Sequence, residues 1–152
     1  MKVFELDSEI VLSHPRDEVF RFFADARNLE LLTPPWLNFS ILAAGPIDMR
    51  KGTRIQYRLR LHGLPLRWES EITAWEPPRY FVDEQRLGPY RQWTHEHIFE
   101  EHEGGTRVLD RVKYAVFGGR LINWLFVAPD LRRIFDYRRQ KLSQLFPTKH
   151  RD

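Results

Sequence analysis

Residues Arg54 to Leu61 alternate without interruption. Ile55, Tyr57, Leu59 and Leu61 fall on one side, and Arg54, Gln56, Arg58 and Arg60 on the other. Such a period of two marks an antiparallel strand with one buried and one wet face. Leu66 to Trp75 repeats the pattern, with Trp68, Ser70, Ile72 and Ala74 opposite Arg67, Glu69, Glu71 and Thr73. Further strands are predicted over Val3 to Ser13, Leu37 to Ala43, Tyr80 to Arg86, Tyr90 to Glu101 and Thr106 to Val116. Gly and Pro clusters separate them: His62-Gly63-Leu64-Pro65, Glu76-Pro77-Pro78, Leu87-Gly88-Pro89 and His102-Glu103-Gly104-Gly105.

Helical spacing occurs in two places. After the first strand, Ser13 is the predicted cap of a short helix carrying Val19, Phe20, Phe22 and Phe23, with Asp17 and Glu18 at its positive end. Asp25 caps a second, Ala26 to Leu32, which Thr33-Pro34-Pro35 stops. Gly118-Gly119 ends the strand region, and Leu121 to Val127 reads as a short helix. Asp130 is then expected to cap a long helix from Leu131 to about Phe146, with Leu131, Ile134, Phe135, Leu142, Leu145 and Phe146 on one stripe. The result is an α+β chain of about seven strands, two short helices after the first strand, and one long C-terminal helix. A curved sheet with one wet face must bury the other, and only the last helix is long enough to cover it. The space between them is the expected ligand site. Residues 1–147 form one ligand-binding domain in this reading, and 148–152 a polar tail.

Strand parity sorts the side chains of that space. Trp93, His95, His97 and Phe99 share a face, as do Phe81, Asp83 and Gln85, and Val108, Asp110, Val112 and Tyr114. Arg107, Arg111 and Lys113 take the outer face of the last strand. The three strands are hairpin neighbours, so Asp83, Gln85, His95, His97 and Asp110 are expected to form one polar patch. Tyr57 and Ser70 add polar groups from other strands. Arg138 falls in the apolar stripe of the last helix. Its head either reaches back to water or enters the cavity to meet Asp83, Asp110 or an acidic ligand group.

Composition narrows the partners. The 152 residues carry a net charge of +3, and much of the excess lies in Arg132, Arg133, Arg138, Arg139, Lys141 and the tail. The acids are interspersed elsewhere, so nucleic acid is not an expected partner. Cysteine is absent, which removes disulfides, thiolate metal sites and a Cys nucleophile. The N-terminal stretch holds Glu5, Asp7 and Glu9 and no apolar run, unlike a signal peptide. The longest apolar patch, Trp124 to Ala128, is far below a membrane span of about 20 residues. A cytoplasmic monomer or homodimer without stable membrane insertion is expected. Aromatics make up 14% of the chain, enough to line a pocket as well as fill a core.

Several segments carry a resemblance: LTPPWLNFSIL (Leu32 to Leu42), GLPLRWESEI (Gly63 to Ile72), FVDEQ (Phe81 to Gln85), GPYRQWTHEHIFE (Gly88 to Glu100), GTRVLDRVKY (Gly105 to Tyr114) and IFDYRR (Ile134 to Arg139). Together with the element order they resemble the Bet v 1-like, or START-like, superfamily, in particular a bacterial branch of SRPBCC-type proteins. The resemblance implies a helix-grip fold and an apolar cavity for a bulky small molecule. Superfamily members include lipid carriers, hormone receptors and polyketide cyclases and dehydratases, so fold alone does not choose a chemistry.

Three functional classes stand at this stage. The first is binding of a hydrophobic or aromatic small molecule by Tyr57, Trp68, Phe81, Asp83, Gln85, Trp93, His95, His97, Phe99, Asp110, Tyr114 and Arg138. The second is acid-base catalysis, with His95, His97 and Asp110 as candidates, because a His beside an Asp in a dry cavity can move protons near neutral pH. The third is an interaction module displaying Trp36, Leu37 and Leu121 to Phe126, which would equally serve as a cavity lid. His95, His97 and either Asp110 or Asp83 form a two-His, one-carboxylate set, but a further ligand motif is lacking and no metal is expected. Serine-triad spacing, phosphate loops and dinucleotide fingerprints are absent, so no cofactor is expected.

Overall fold

The computed structural model describes residues 1–148; the end of the predicted polar tail lies outside them. Seven strands, β1 (Phe4–Leu12), β2 (Ser40–Ile41), β3 (Arg54–Leu61), β4 (Leu64–Glu76), β5 (Tyr80–Leu87), β6 (Gln92–His102) and β7 (Gly105–Ala115), form one antiparallel sheet in the order β1-β7-β6-β5-β4-β3-β2. Every neighbour after β2 is a hairpin partner, so the sheet grows outward from consecutive turns. The exception is β1, which pairs along its whole length with β7, from Phe4 opposite Tyr114 to Leu12 opposite Thr106.

Helices α1 (Arg16–Ala24) and α2 (Leu29–Leu32) follow β1, joined by a 3₁₀ turn over Ala26–Asn28. Asp25 caps that turn as expected, accepting from the Arg27 amide at 3.0 Å. Ser13 does not cap α1; Pro15 holds that position without a side-chain bond. The predicted strand from Leu37 shrinks to two residues. Pro34-Pro35 start a 3₁₀ turn over Pro35–Leu37, and Asn38 leaves it in the left-handed region, so pairing begins only at Ser40.

The last helix is longer than its spacing indicated. α3 (Gly119–Ile122) runs through a π-helical turn (Asn123–Val127) into α4 (Ala128–Leu145). Asp130 therefore lies inside the helix rather than capping it, and its carboxylate pairs with the His62 Nε2 at 2.6 Å, joining α4 to the β3–β4 turn. Gly118 starts this helix at a φ of +91°, and a Cβ there would lie 2.4 Å from the Ile122 Cγ1. Gly118→Ala is expected to cost about 1–3 kcal/mol in chemical denaturation, from the left-handed backbone and the displaced Ile122.

Two register shifts, between Glu69 and Ser70 and between Ile72 and Ala74, bend the sheet around the helix. The second also reverses the parity of β4. Trp75, not Ala74, turns to the core, where its ring lies 5.3 Å from that of Phe20 and 5.4 Å from that of Phe81. The core divides along the helix. Near its C-terminal end Val19, Phe20, Phe23, Ile72, Phe81, Phe99, Val108, Leu142 and Phe146 pack together. Near its N-terminal end Val112, Tyr114, Leu131 and Phe135 do so. Between them α4 presents Arg138, buried, to the sheet.

Candidate functional site

Burying one face of a strand normally requires apolar residues at every second position. In the middle of β5, β6 and β7 the inward residues are instead Asp83, His95, His97 and Asp110. The registers explain how the fold tolerates this. Asp83 lies directly opposite His95, and Asp110 directly opposite His97. Yet each acid bonds the histidine diagonal to it. The Nε2 of His97 lies 2.6 Å from the Asp83 Oδ2, and the Nε2 of His95 lies 2.8 Å from the Asp110 Oδ1. Diagonal partners lie within reach of long side chains. The crossing lets the two imidazoles stack, 3.7 Å between centroids and 24° between planes.

Arg138 completes the cluster from α4. It is 7% exposed, so its head does not return to water. One guanidinium nitrogen lies 3.2 Å from the Asp110 Oδ1 and 3.4 Å from the His97 Nδ1, and the guanidinium carbon lies 5.3 Å from the ring of Phe23. Arg138 carries no acceptor, so the His97 Nδ1 is the acceptor in that contact. The His97 proton then resides on Nε2 and is donated to Asp83.

This network sets the charges. Burial pushes His97 down, and the charges of His95 and Arg138 add to that, outweighing Asp83; its pKa falls to about 4. His97 is neutral at pH 7. Burial alone would raise both carboxyls. For Asp110 the charge of Arg138 and the His95 hydrogen bond outweigh it, and for Asp83 the His97 hydrogen bond, with the charge of Arg138, does. Both acids lie below the ordinary carboxylate range and stay ionised. Tyr57 is raised by burial and by the Asp83 charge, so its hydroxyl remains a neutral donor.

A cavity of about 180 Å³ lies against this cluster. Its polar wall is Asp83, His95, His97, Arg138, Ser70 and Tyr57. The rest is apolar: Leu59 and Leu61 from β3, Trp68 and Trp93 facing each other edge to face at 5.4 Å, Leu32, Leu37 and Phe39 from the α2–β2 segment, and Leu131, Ile134 and Phe135 from α4. The side chain of Asp83 keeps 18% exposure, directed at this space. Two other concavities, of about 300 and 250 Å³, are lined by β1 with the β6–β7 turn and by the β3–β4 turn with α4. Neither holds a buried charged group, so the smaller space is the chemically distinctive one.

Of the twelve residues singled out from the sequence, seven line the cavity: Tyr57, Trp68, Asp83, Trp93, His95, His97 and Arg138. Five do not. Phe81 lies behind the cluster with its ring stacked on His97 at 4.0 Å, and Phe99 is fully buried between Phe20 and Phe23. Gln85 folds onto the β5–β6 turn, donating to the Tyr90 carbonyl and accepting from the Tyr90 amide. Tyr114 donates to the Asn123 Oδ1 at 2.8 Å. Asp110 sits behind the histidines and acts on the cavity through His95 and Arg138. Strand parity reports which face a side chain takes, not its height along the strand, and each of these five lies above or below the cavity or beneath its wall. Leu59 and Leu61 carried the same parity as Tyr57, so a signal for them existed. Phe39 carried the parity of Leu37 in the strand predicted from Leu37 to Ala43, whereas the parity of Tyr90 pointed to the outer face; irregular backbone places both.

Asp83, His95 and His97 also have donor atoms within 4.8 Å of one another, the one such group among the described residues. The Asp83 carboxylate and the His97 Nε2 already satisfy each other, and Arg138 brings the positive charge that a cation would supply. The donor set thus fits a hydrogen-bonded charge network better than a coordination sphere.

The family model for polyketide cyclase/dehydrase and lipid transport matches residues 12–135. No curated protein matches by sequence. Among solved structures, the ZhuI aromatase/cyclase from a Streptomyces species aligns over 95% of this chain and 93% of its own, with a TM-score of 0.74 and 13% identity. The ginseng major latex-like protein 151 from Panax ginseng aligns over 95% and 98%, at 0.71 and 9%. A protein of Chromobacterium violaceum aligns over 95% and 98%, at 0.75 and 14%. At these identities the likeness is one of fold. Among the described residues no helix is long and apolar enough to cross a membrane. By its family match and its seven-stranded helix-grip architecture, the chain belongs to the polyketide cyclase/dehydrase and lipid transport family of the Bet v 1/START-like superfamily.

Proposed function

We propose that the protein binds a neutral aromatic or polycyclic small molecule carrying a hydroxyl or carbonyl group. The observation that supports this most is an apolar cavity walled on one side by the buried Asp83–His97–Arg138–Asp110–His95 network. The one guanidinium is already matched against two carboxylates, so the wall has no spare positive charge for an anionic ligand. Donors and acceptors remain: the Tyr57 hydroxyl proton and the open edge of His95. At about 180 Å³ the space suits one or two rings; pockets for drug-sized ligands run to roughly 300–1,000 Å³. A larger ligand requires the α2–β2 segment to move outward.

Native mass spectrometry of freshly purified protein tests the reading through any co-purified ligand, and 1-naphthol titration tests it directly. Saturable quenching of Trp68 and Trp93 emission is expected. Leu59→Trp fills the cavity and is expected to weaken naphthol binding at least tenfold with little change in unfolding midpoint. Unchanged binding by that variant would place the ligand elsewhere.

One observation favours a second reading, acid-base catalysis. Asp110 holds the His95 Nε2, while the His95 Nδ1 makes no hydrogen bond among the described residues, its nearest carboxylate oxygen lying 3.9 Å away on Asp83. A ring nitrogen so oriented, on a cavity wall, can take a proton from a bound enol or carbon acid. If His95→Ala and His97→Ala change only affinity for the co-purified ligand, and no turnover of it is seen, catalysis fails and binding stands.

A further inference from the structure

The end of the molecule where β3, β5 and β7 finish presents an unusual surface. Between Phe117 and Phe126 the large apolar residues Phe117, Leu121, Ile122, Trp124, Leu125 and Phe126 are all exposed, Trp124 to 72%. A helix that is apolar on every side is normally buried against something, and contiguous exposed patches of this kind mark interaction sites. The segment is not loose. Asn123, its one buried residue, accepts from the Tyr114 hydroxyl and ties the π-helical turn to the sheet. The neighbouring strand turns add Leu64 and Leu87, also exposed.

The charge around this tip is predominantly positive. Residues 113–133 hold Lys113, Arg120, Arg132 and Arg133 against a single acid, Asp130, whose carboxylate is engaged by the His62 Nε2 at 2.6 Å. The β3–β4 and β5–β6 turns on either side, residues 60–67 and 88–93, contain Arg60, Arg67 and Arg91 and no acid. Arg91 lies over the Phe117 ring at 5.5 Å, so a cation is mounted on the apolar patch itself. A second copy packed through the same patch would set these arginines against their own counterparts. A surface that offers apolar depth beneath a layer of negative charge complements both features at once.

We propose that this tip docks on an anionic lipid bilayer, with Trp124, Leu125 and Phe126 entering the headgroup–acyl boundary and the arginines meeting lipid phosphates. The docked end adjoins the cavity. Leu131 and Phe135, on the helix that continues from the tip, line it, and Leu37, Leu61 and Ile134 line both the cavity and the surface cleft beneath the His62–Asp130 pair. A docked protein thus holds the end of the cavity that adjoins this cleft toward the membrane. The surface stands independently of what the cavity binds.

Co-sedimentation with phosphatidylcholine vesicles, with and without phosphatidylglycerol, tests the proposal. Binding to the anionic vesicles with a blue shift in tryptophan emission is expected, along with weakening as salt rises. Trp124→Ser with Phe126→Ser is expected to weaken binding at least tenfold, and each of Arg120→Gln and Arg132→Gln about fivefold. All four positions are exposed, and circular dichroism of each variant is the check that it folds. No binding to anionic vesicles at low salt overturns the proposal. So does binding that the Trp124/Phe126 variant retains, or a dimer in gel filtration that this variant abolishes, which would make a second copy the occupant.

Discussion

Arg138→Leu is expected to destabilise the protein by about 3–5 kcal/mol in urea unfolding at pH 7, the range for removing one partner of a buried charge pair. Asp110 is 5% exposed and ionised, and Arg138 is the largest favourable influence on its charge. With the guanidinium gone, two carboxylates share the cluster with a neutral His97, and Asp110 is buried. The carboxyl must then take up a proton or the helix must lift. The double variant Arg138→Leu with Asp110→Leu removes both charges and is expected to recover much of the loss, because two apolar groups replace a pair whose desolvation was costly. The coupling free energy from the four-member cycle is the measurement. A loss below about 1 kcal/mol for the single variant would mean that Arg138 is solvated in solution and does not organise the wall.

Acid has a second, separable effect through His97. Its pKa is depressed in the fold to about 4, against an ordinary 6.5. The unfolded chain therefore binds a proton on this residue first as pH falls. Between those two values the unfolded state holds more protons, so stability drops with falling pH. The contribution is fully present above pH 6.5 and is lost by about pH 4, and a gap of this size corresponds to about 3 kcal/mol. Asp83 and Asp110 behave in the ordinary carboxylate direction. Their depressed values contribute stability above the ordinary aspartate value of 3.8 that is lost only below it. Two acid limbs are thus expected, the upper belonging to His97 among Asp83, Asp110, His95 and Arg138. His97→Gln keeps an amide donor for Asp83 but cannot titrate, and it is expected to flatten the upper limb alone. Urea midpoints from pH 4 to pH 7 read this directly. Equal slopes for the two proteins would show that His97 is not held neutral.

Much of this cluster was legible in one dimension. The alternation in β6 put His95 and His97 on one face, and hairpin adjacency put Asp83 and Asp110 beside them. The pairing within the cluster was not legible, because it depends on which rotamers bring diagonal rather than opposite residues together. Arg138 shows the limit most plainly. Its position on the apolar stripe was evident, but an arginine on such a stripe either extends to water or turns in. Only the distance from α4 to the sheet, together with the unneutralised charge beneath it, decides which.

The chain by itself determined the order of strands and helices, the wet and buried faces of most strands, and the chemical character of the cavity wall. These follow from period-two and period-3.6 patterning and from Gly and Pro at the turns, which act over a few residues. Tertiary structure decided what local patterning cannot encode. The bulge after Ile72 exchanged Ala74 for Trp75 in the core. Height along the strands separated Tyr57 and Trp68, on the cavity wall, from Phe81 and Phe99 behind it. The continuity of α3 through the π turn into α4 left Trp124, Leu125 and Phe126 bare, because a helix that projects beyond the end of its sheet has nothing left to pack against.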